Sequence, residues 1–389
     1  MRDTEEEYKY TDEESEDINE SDSLVDWVNP PSVKDLKQDL SDAKTNHDLQ
    51  VIKIDGWLAN LNVTGSAKVK SKEGFSSIVP KLIRKQAEWR YASLSEPFLS
   101  TDDIFNTDPV TYEDKTAAIQ NGLVLNNQFN TKIAKVKFID EYIRTAVDEG
   151  TAIVRVGWDY REEEEEVEVP DFDFRPSNDP QLLAQYQQLD QLAQQDPQGF
   201  LTQIPQEVQD ALQMSTQVGY PVEAIPMGSH METQIKVVKN CPTVDVCNYN
   251  NITIDPTCMG DLSKANFIIY SFETSLSELE KDGKYHNLDD IVVTNSSVLG
   301  DPDYMPVGST DFTFNDKPRK KFVAHEYWGY WDIEGEGIVK PIVATWVNDT
   351  LIRLEENPFP DQELPFVTVQ YLPVRRSIYG EPDGELLED

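Results

Sequence analysis

Apolar residues recur at three- and four-residue steps from Ile119 through Leu123, Phe129, Ile133, Val136, Ile139 and Ile143 to Val147. That spacing predicts one long helix over 115–148 with a single apolar stripe. Asp148-Glu149-Gly150 stops it, and Thr151-Ala-Ile-Val-Arg-Val-Gly-Trp-Asp-Tyr160 switches to a period of two with β-branched residues, which is strand chemistry. Past the glutamate run 162–166, Val167, Val169, Phe172 and Phe174 read as the return strand of a hairpin.

Upstream, Asn29-Pro-Pro31 precedes a short helix over 32–45, and 48–66 reads as an extended or mixed segment ending in Gly65. A second helix is expected over 76–94 with Pro80 in its first turn, where a missing N–H costs least. Downstream, glutamines 181, 185, 187, 188, 191, 194 and 195 interleave with leucines 182, 183, 189 and 192, predicting an amphipathic helix followed by a second short one from Pro205 to about Met214. Strand pattern resumes at 232–239, so the glutamine-rich segment reads as an insertion between two strands of one sheet. Several short strands follow to residue 273, and Ser275 with Glu278 forms a capping signature for a helix over 276–282. The last third reads as a β-meander over 322–331, 339–347, 351–355 and 366–371.

These elements predict an α+β fold of long helices packed on antiparallel sheets, in four parts. They are an acidic tail (1–31), a helical segment with the long helix and strand hairpin (32–175), the glutamine-rich insertion (176–228) and a β-rich region (229–389). The tail holds twelve acidic residues in its first 26 against Arg2 and Lys9, too few apolar groups to offset chain entropy, so its ordering requires a neighbouring subunit or partner.

Seventy-two acidic residues against 34 basic ones leave a net charge of −38, and mean hydropathy is −0.55. A surface this negative repels phosphate backbones, which argues against a high-affinity nucleic-acid binder but not against a protein that DNA slides past. No apolar run of about 18 residues suggests a membrane span. Cys241, Cys247 and Cys258 match neither a disulfide framework nor a paired zinc motif, so reduced structural thiols are expected.

Chemistry is sparse. His47, His230, His286 and His325 share no metal-ligand spacing, and there is no nucleophile elbow, phosphate-binding loop or dinucleotide fingerprint. No cofactor and no catalysis are expected. Acidic pairs such as Asp171/Asp173, Asp289/Asp290, Asp301/Asp303 and Glu334/Glu336 arise readily in a chain this acidic. The aromatic run Tyr327-Trp328-Gly329-Tyr330-Trp331 suits a strand with aromatics on both faces, packed between layers or between subunits. Tyr327, Trp328 and Trp331 are therefore candidate interface aromatics. The basic residues Lys81, Arg84, Lys85, Arg90, Arg319, Lys320 and Lys321 stand out against the acidic background as candidates for inter-subunit ion pairs or a DNA-proximal surface. The rival function is a carbohydrate-active enzyme or binding module using the aromatics beside acids; a third is another virion structural protein such as a tail adaptor.

The sequence from the long helix through its acidic-Gly stop to Thr151-Ala-x-x-x-Val-Gly-Trp158 resembles the wing region of bacteriophage portal proteins. A second likeness spans Val323-Ala-His-Glu-Tyr-Trp328, Thr345-Trp-Val-Asn-Asp-Thr-Leu-Ile-Arg-Leu-Glu355, Asn357-Pro-Phe-Pro360 and Tyr379-Gly-Glu-x-x-Gly-Glu-Leu-Leu-Glu-Asp389, which is similar to the portal pattern just before the stem. Cys241-Pro-Thr-Val-Asp-Val246, Ile254-Asp-Pro-Thr257 and Ala265-Asn-Phe-Ile-Ile-Tyr270 resemble the family's wing strands. The likeness runs over about 75–389, leaves the glutamine-rich insertion unmatched, and is to the large portals of short-tailed and some contractile-tailed phages. It implies a homo-oligomeric ring of twelve at one capsid vertex, in contact with the major capsid protein, terminase and tail adaptors. Double-stranded DNA would pass through without sequence specificity. The implied location is the virion, assembled in the host cytoplasm, with no membrane contact. It also implies that stem, clip, channel loop and crown follow the helix start at Glu385-Leu-Leu-Glu-Asp389, so that the chain carries a wing and outer body.

Overall fold

The computed structural model describes residues 24–70, 74, 78–177, 182, 184–186, 188–190, 204–292, 303–305, 314 and 316–387. The acidic tail to residue 23, and parts of the glutamine-rich helix and of the turn-rich 284–320 region, lie outside the described residues. The chain divides into two compact units, one of residues 1–159 with 241–389 and a smaller one of 160–240.

In the larger unit, α1 (Val33–Asn62) starts at a capping box in which Ser32 and Asp35 bond reciprocally. It runs far beyond the expected 45. Leu36, Leu40, Ala43, Ile54, Trp57 and Leu61 keep one helical face buried through the segment read as extended, and Val63 ends the helix in a left-handed conformation. β-Branched Val51, Ile52 and Ile54 lower helix preference only weakly, and burial of one stripe outweighs it. α2 (Leu82–Leu99) begins later than predicted.

The single long helix expected over 115–148 is two, α3 (Lys115–Thr131) and α4 (Lys135–Glu149). Lys132 and Ile133 both donate to the Gln128 carbonyl, and Thr131 bonds back to Asn127, closing α3. The break turns Ile133 and Phe138 onto a cluster of Leu61, Ala87, Tyr91, Phe129, Ile139, Ile143 and Val147. Ile119 and Leu123, assigned to the same stripe, stay 67% and 65% exposed.

Two antiparallel sheets complete this unit. β1 (Thr151–Pro176), β2 (Val222–Val246) and β8 (Phe366–Gln370) pair in the order β2-β1-β8, while β3 (Ile252–Ile254), β4 (Phe267–Ser275), β5 (Lys321–Trp331), β6 (Lys340–Val347) and β7 (Thr350–Glu356) follow chain order. The final meander is therefore interrupted: β8 leaves its predecessors and pairs with β1, Thr151 facing Gln370. The return strand predicted at 167–174 is instead the continuation of β1, because the intervening glutamates supply no turn residue; the true return is β2.

Alternation along the five-stranded sheet builds two cores. Ile269, Tyr327, Ile342, Ala344 and Trp346 pack against Leu36 and Leu40 of α1. Ile268, Trp328 and Val343 point the other way, against Ile153 and Phe366 of the three-stranded sheet. α6 (Leu276–Asp282), as expected from its capping signature, covers a third cluster with Ala324, Val347 and Ile352.

In the smaller unit, α5 (Gln206–Val218) comes between the outer stretches of β1 and β2 along the chain. Tyr186 donates to the Val222 carbonyl at 2.6 Å, Val222 N–H donates to Ser215 Oγ at 2.8 Å, and Ala211 is buried. Lys236 pairs with Glu165 at 2.7 Å, and His230 meets Asp171 at 2.8 Å.

Candidate functional site

The junction where α4 becomes β1 is tightly determined. Gly150 has φ 79°, and a Cβ there would lie 2.5 Å from the Gly380 carbonyl oxygen. Gly380 N–H donates to Thr151 Oγ1 at 2.8 Å, and Tyr371 N–H donates to the Gly150 carbonyl at 2.9 Å. Two glycines thus let the 371–381 segment lie directly on the junction. α7 (Asp383–Leu386) follows, held by Trp57 donating to Glu385, by Arg90 and Asp383 at 3.3 Å, and by Tyr371 donating to Asp383 at 3.2 Å.

Two carboxylates end α4 unfavourably, since a helix C-terminus repels anions. Burial raises Asp148 above the usual carboxylate range, although Tyr91 donates to it. Burial, reinforced by Asp148, pushes Glu149 up to about 8, and its Oε2 has no hydrogen-bond partner. Between its ordinary value of 4.5 and about 8 the folded chain holds a proton that the unfolded chain has released, so stability falls as pH rises across that window. Glu149→Gln should therefore melt above the wild type at pH 8, with the gap closing by pH 4. Thermal melts at both values check this.

A buried ionic row crosses the five-stranded sheet. Register places Tyr270 opposite Glu326, Glu326 opposite Thr345 and Thr345 opposite Arg353. Glu326 is 0% exposed and accepts from Arg155 of β1 at 2.6 Å and from Trp328 Nε1 at 2.5 Å, with Arg353 at 3.7 Å. The Arg155 guanidinium also lies 5.3 Å from the Tyr270 ring centroid. The network joins the two sheets, with Glu326 fully enclosed and Arg155 partly open at its edge. Its signal in the sequence is one acid within an otherwise apolar and aromatic strand.

Most of the candidate residues are engaged within the chain. Arg84 donates to Asn62 at 2.7 Å and lies 3.8 Å from Glu88, while Arg90 reaches Asp383. Arg319 chelates Asp316 at 2.7 and 2.8 Å, Lys320 is half-buried beside it, and Lys321 binds Glu278 at 2.8 Å. Lys81 and Lys85 on α2 are exposed and form no ion pair among the described residues. The aromatics divide differently from expectation. Tyr327 and Trp328 are buried between layers of their own chain, Tyr327 donating to Asp39 of α1 at 3.2 Å, so neither presents a surface to a neighbour. Trp331 is half-buried and donates to the Asn29 carbonyl at 3.0 Å.

The remaining chemistry reads as structural. His325 stacks on Trp346 at 5.2 Å and meets Ser271 Oγ at 2.8 Å. The three cysteines are free and buried, burial pushing the Cys247 thiol up to about 12. Among the described residues no group of three or more His, Cys, Asp or Glu is placed to hold a metal, and no helix is long and apolar enough to cross a membrane. Tyr327 and Trp328, whose stacking faces a sugar site would need, are enclosed.

A family model described as phage SU10 portal protein matches residues 32–389. This chain belongs to the SU10 portal family. The match takes in the α1 segment ahead of the 75–389 region whose patterns suggested the relationship. Membership makes it a phage portal protein, a virion component of a structural rather than enzymatic family. What this portal chain presents outward then matters more than any cleft. Leu82 and Trp89 of α2 are 69% and 71% exposed, and Ile119 and Leu123 of α3 are similarly open.

Proposed function

We propose that this chain is one subunit of a ring of twelve at the unique capsid vertex. The ring serves as the conduit for double-stranded DNA during packaging and ejection, and docks terminase, tail adaptors and the surrounding major capsid protein. The observation that carries this reading is the pair of outward apolar helix faces, Leu82 and Trp89 on α2 and Ile119 and Leu123 on α3. Side chains of that size, aligned at helical spacing and left in water, mark a surface that association covers. The ring contacts are heterologous, one face meeting a different face of the next copy and closing by rotation.

The net charge of −38 supports passage of DNA without adhesion, because a like-charged wall gains nothing from counterion release. Mass photometry of the purified chain should show a closed species of twelve times 44.4 kDa. Duplex DNA should show no retardation by it at physiological salt. A protein that remains monomeric up to high concentration, or that binds duplex tightly with a steep salt dependence, would overturn the proposal.

A further inference from the structure

We infer that neighbouring copies are joined by the β1/β2 ribbon of one copy lying against the outer face of α2 in the next. This rests on the ring reading above and specifies which surfaces meet. Two unpartnered surfaces on the chain are complementary in both charge and hydrophobicity.

The first is the ribbon. Residues 160–240 contain fifteen acidic residues against four basic ones, and the run Glu162 to Glu166 is exposed along β1. On β2, Met227, Met231, Ile235 and Val237 are all exposed and all at odd positions, so strand alternation puts them on one face. A two-stranded ribbon with an uncovered apolar face is marginal in water without something packed on it. The second surface is α2. Ala87 and Tyr91 bury its inner side, while Leu82, Lys85 and Trp89, at steps of three and four, line the outer side beside Lys81. An exposed helical Trp flanked by cations suits a partner that offers apolar side chains and carboxylates.

Charge selects this pairing over the alternative. The outer face of α3 is apolar as well, yet its cations stand only at its two ends, Lys115, which sits over the Tyr112 ring, and Lys132 at the C-cap, rather than four residues apart as Lys81 and Lys85 do at the start of α2. It offers nothing to a run of five glutamates. In a chain of net charge −38, apposing two acidic faces is costly, and α2 carries free cations where the ribbon carries excess carboxylate.

The experiment compares four full-length chains by mass photometry and thermal melting: wild type, Lys81→Glu with Lys85→Glu, Glu164→Lys with Glu166→Lys on the β1 face that Ser229 and Glu168 share, and all four changes together. The acidic reversal is decisive because it lowers the overall negative charge. General repulsion predicts that it strengthens assembly, whereas ribbon–helix pairing predicts that it weakens it. We expect each pair alone to raise the concentration for half-assembly by about ten-fold or more, with melting of the isolated chain unchanged, and the fourfold variant to recover most of the loss. Rings that persist in both reversals, or a fourfold variant no better than its parents, overturn the pairing and leave the ring intact. A wild type that never assembles overturns the ring reading and the pairing together. A Trp89→Ala chain that melts normally and assembles like the wild type also counts against the pairing.

Discussion

Glu326→Ala should destabilise the larger unit by about 3–5 kcal/mol, the range for breaking a buried ion pair from one side. The carboxylate is 0% exposed, and its removal leaves buried Arg353 and partly buried Arg155 without their shared acceptor and Trp328 Nε1 without an acceptor. Arg353 retains Glu355, so the greater loss falls on Arg155, whose Nε already lacks a partner. Against a typical domain stability of about 5–15 kcal/mol this is a large fraction, and the variant should be sensitive to low urea concentrations. Replacing Glu326, Arg155 and Arg353 together by apolar residues of similar volume should recover much of the loss, since no charge is then left buried alone. Urea melts of the two variants decide it; a single substitution costing under about 1 kcal/mol would show that water reaches the row.

Gly150→Ala should cost roughly 2–4 kcal/mol. The change pays twice: φ 79° is strained for any residue with a Cβ, and that Cβ meets backbone, which cannot rotate away. Relief requires the 371–381 segment to lift, loosening the Thr151–Gly380 bond and with it the seating of α7 on Trp57 and Arg90. Hydrogen exchange should therefore quicken at residues 371–386 before it does in β4 to β6. Uniform acceleration across the unit would show that the junction does not isolate this segment.

Much of this architecture is legible in the residues themselves. The acidic-Gly stop at 150, the period-two run after it, the helix start at Ser275 and the aromatic strand at 322–331 all appear where patterning puts them, because each is decided within one element. Patterning is silent where a distant segment decides. Whether α1 continues past residue 45 depends on what its face buries, and whether β8 extends the meander depends on a partner more than 200 residues away at Thr151. The split at Lys132 was hidden because Ile133 keeps the helical spacing while serving a different cluster.

The candidate surface was partly legible. Basic residues of α2 were visible against the acidic chain, but composition does not reveal that Arg84 and Arg90 are occupied internally while Lys81 and Lys85 are not. The aromatic run was more misleading. Its alternating large side chains suit a subunit seam and a domain interior equally, and two stacked layers, α1 on one side and the three-stranded sheet on the other, decide for the interior.

The larger unit is assembled from residues before 160 and after 240, and its three-stranded sheet waits for Phe366–Gln370. A ribosome making this polypeptide has therefore released α1 to α4 and the whole of 160–240 long before their closing strand exists. Contacts of such long sequence separation make for slow, late folding. Throughout synthesis, the apolar flank of α1 that ends against Trp346 is open to solvent and to other nascent chains. The surplus of carboxylates, −38 over the finished chain, sets half-made copies repelling one another and so opposes their adhesion before folding is complete.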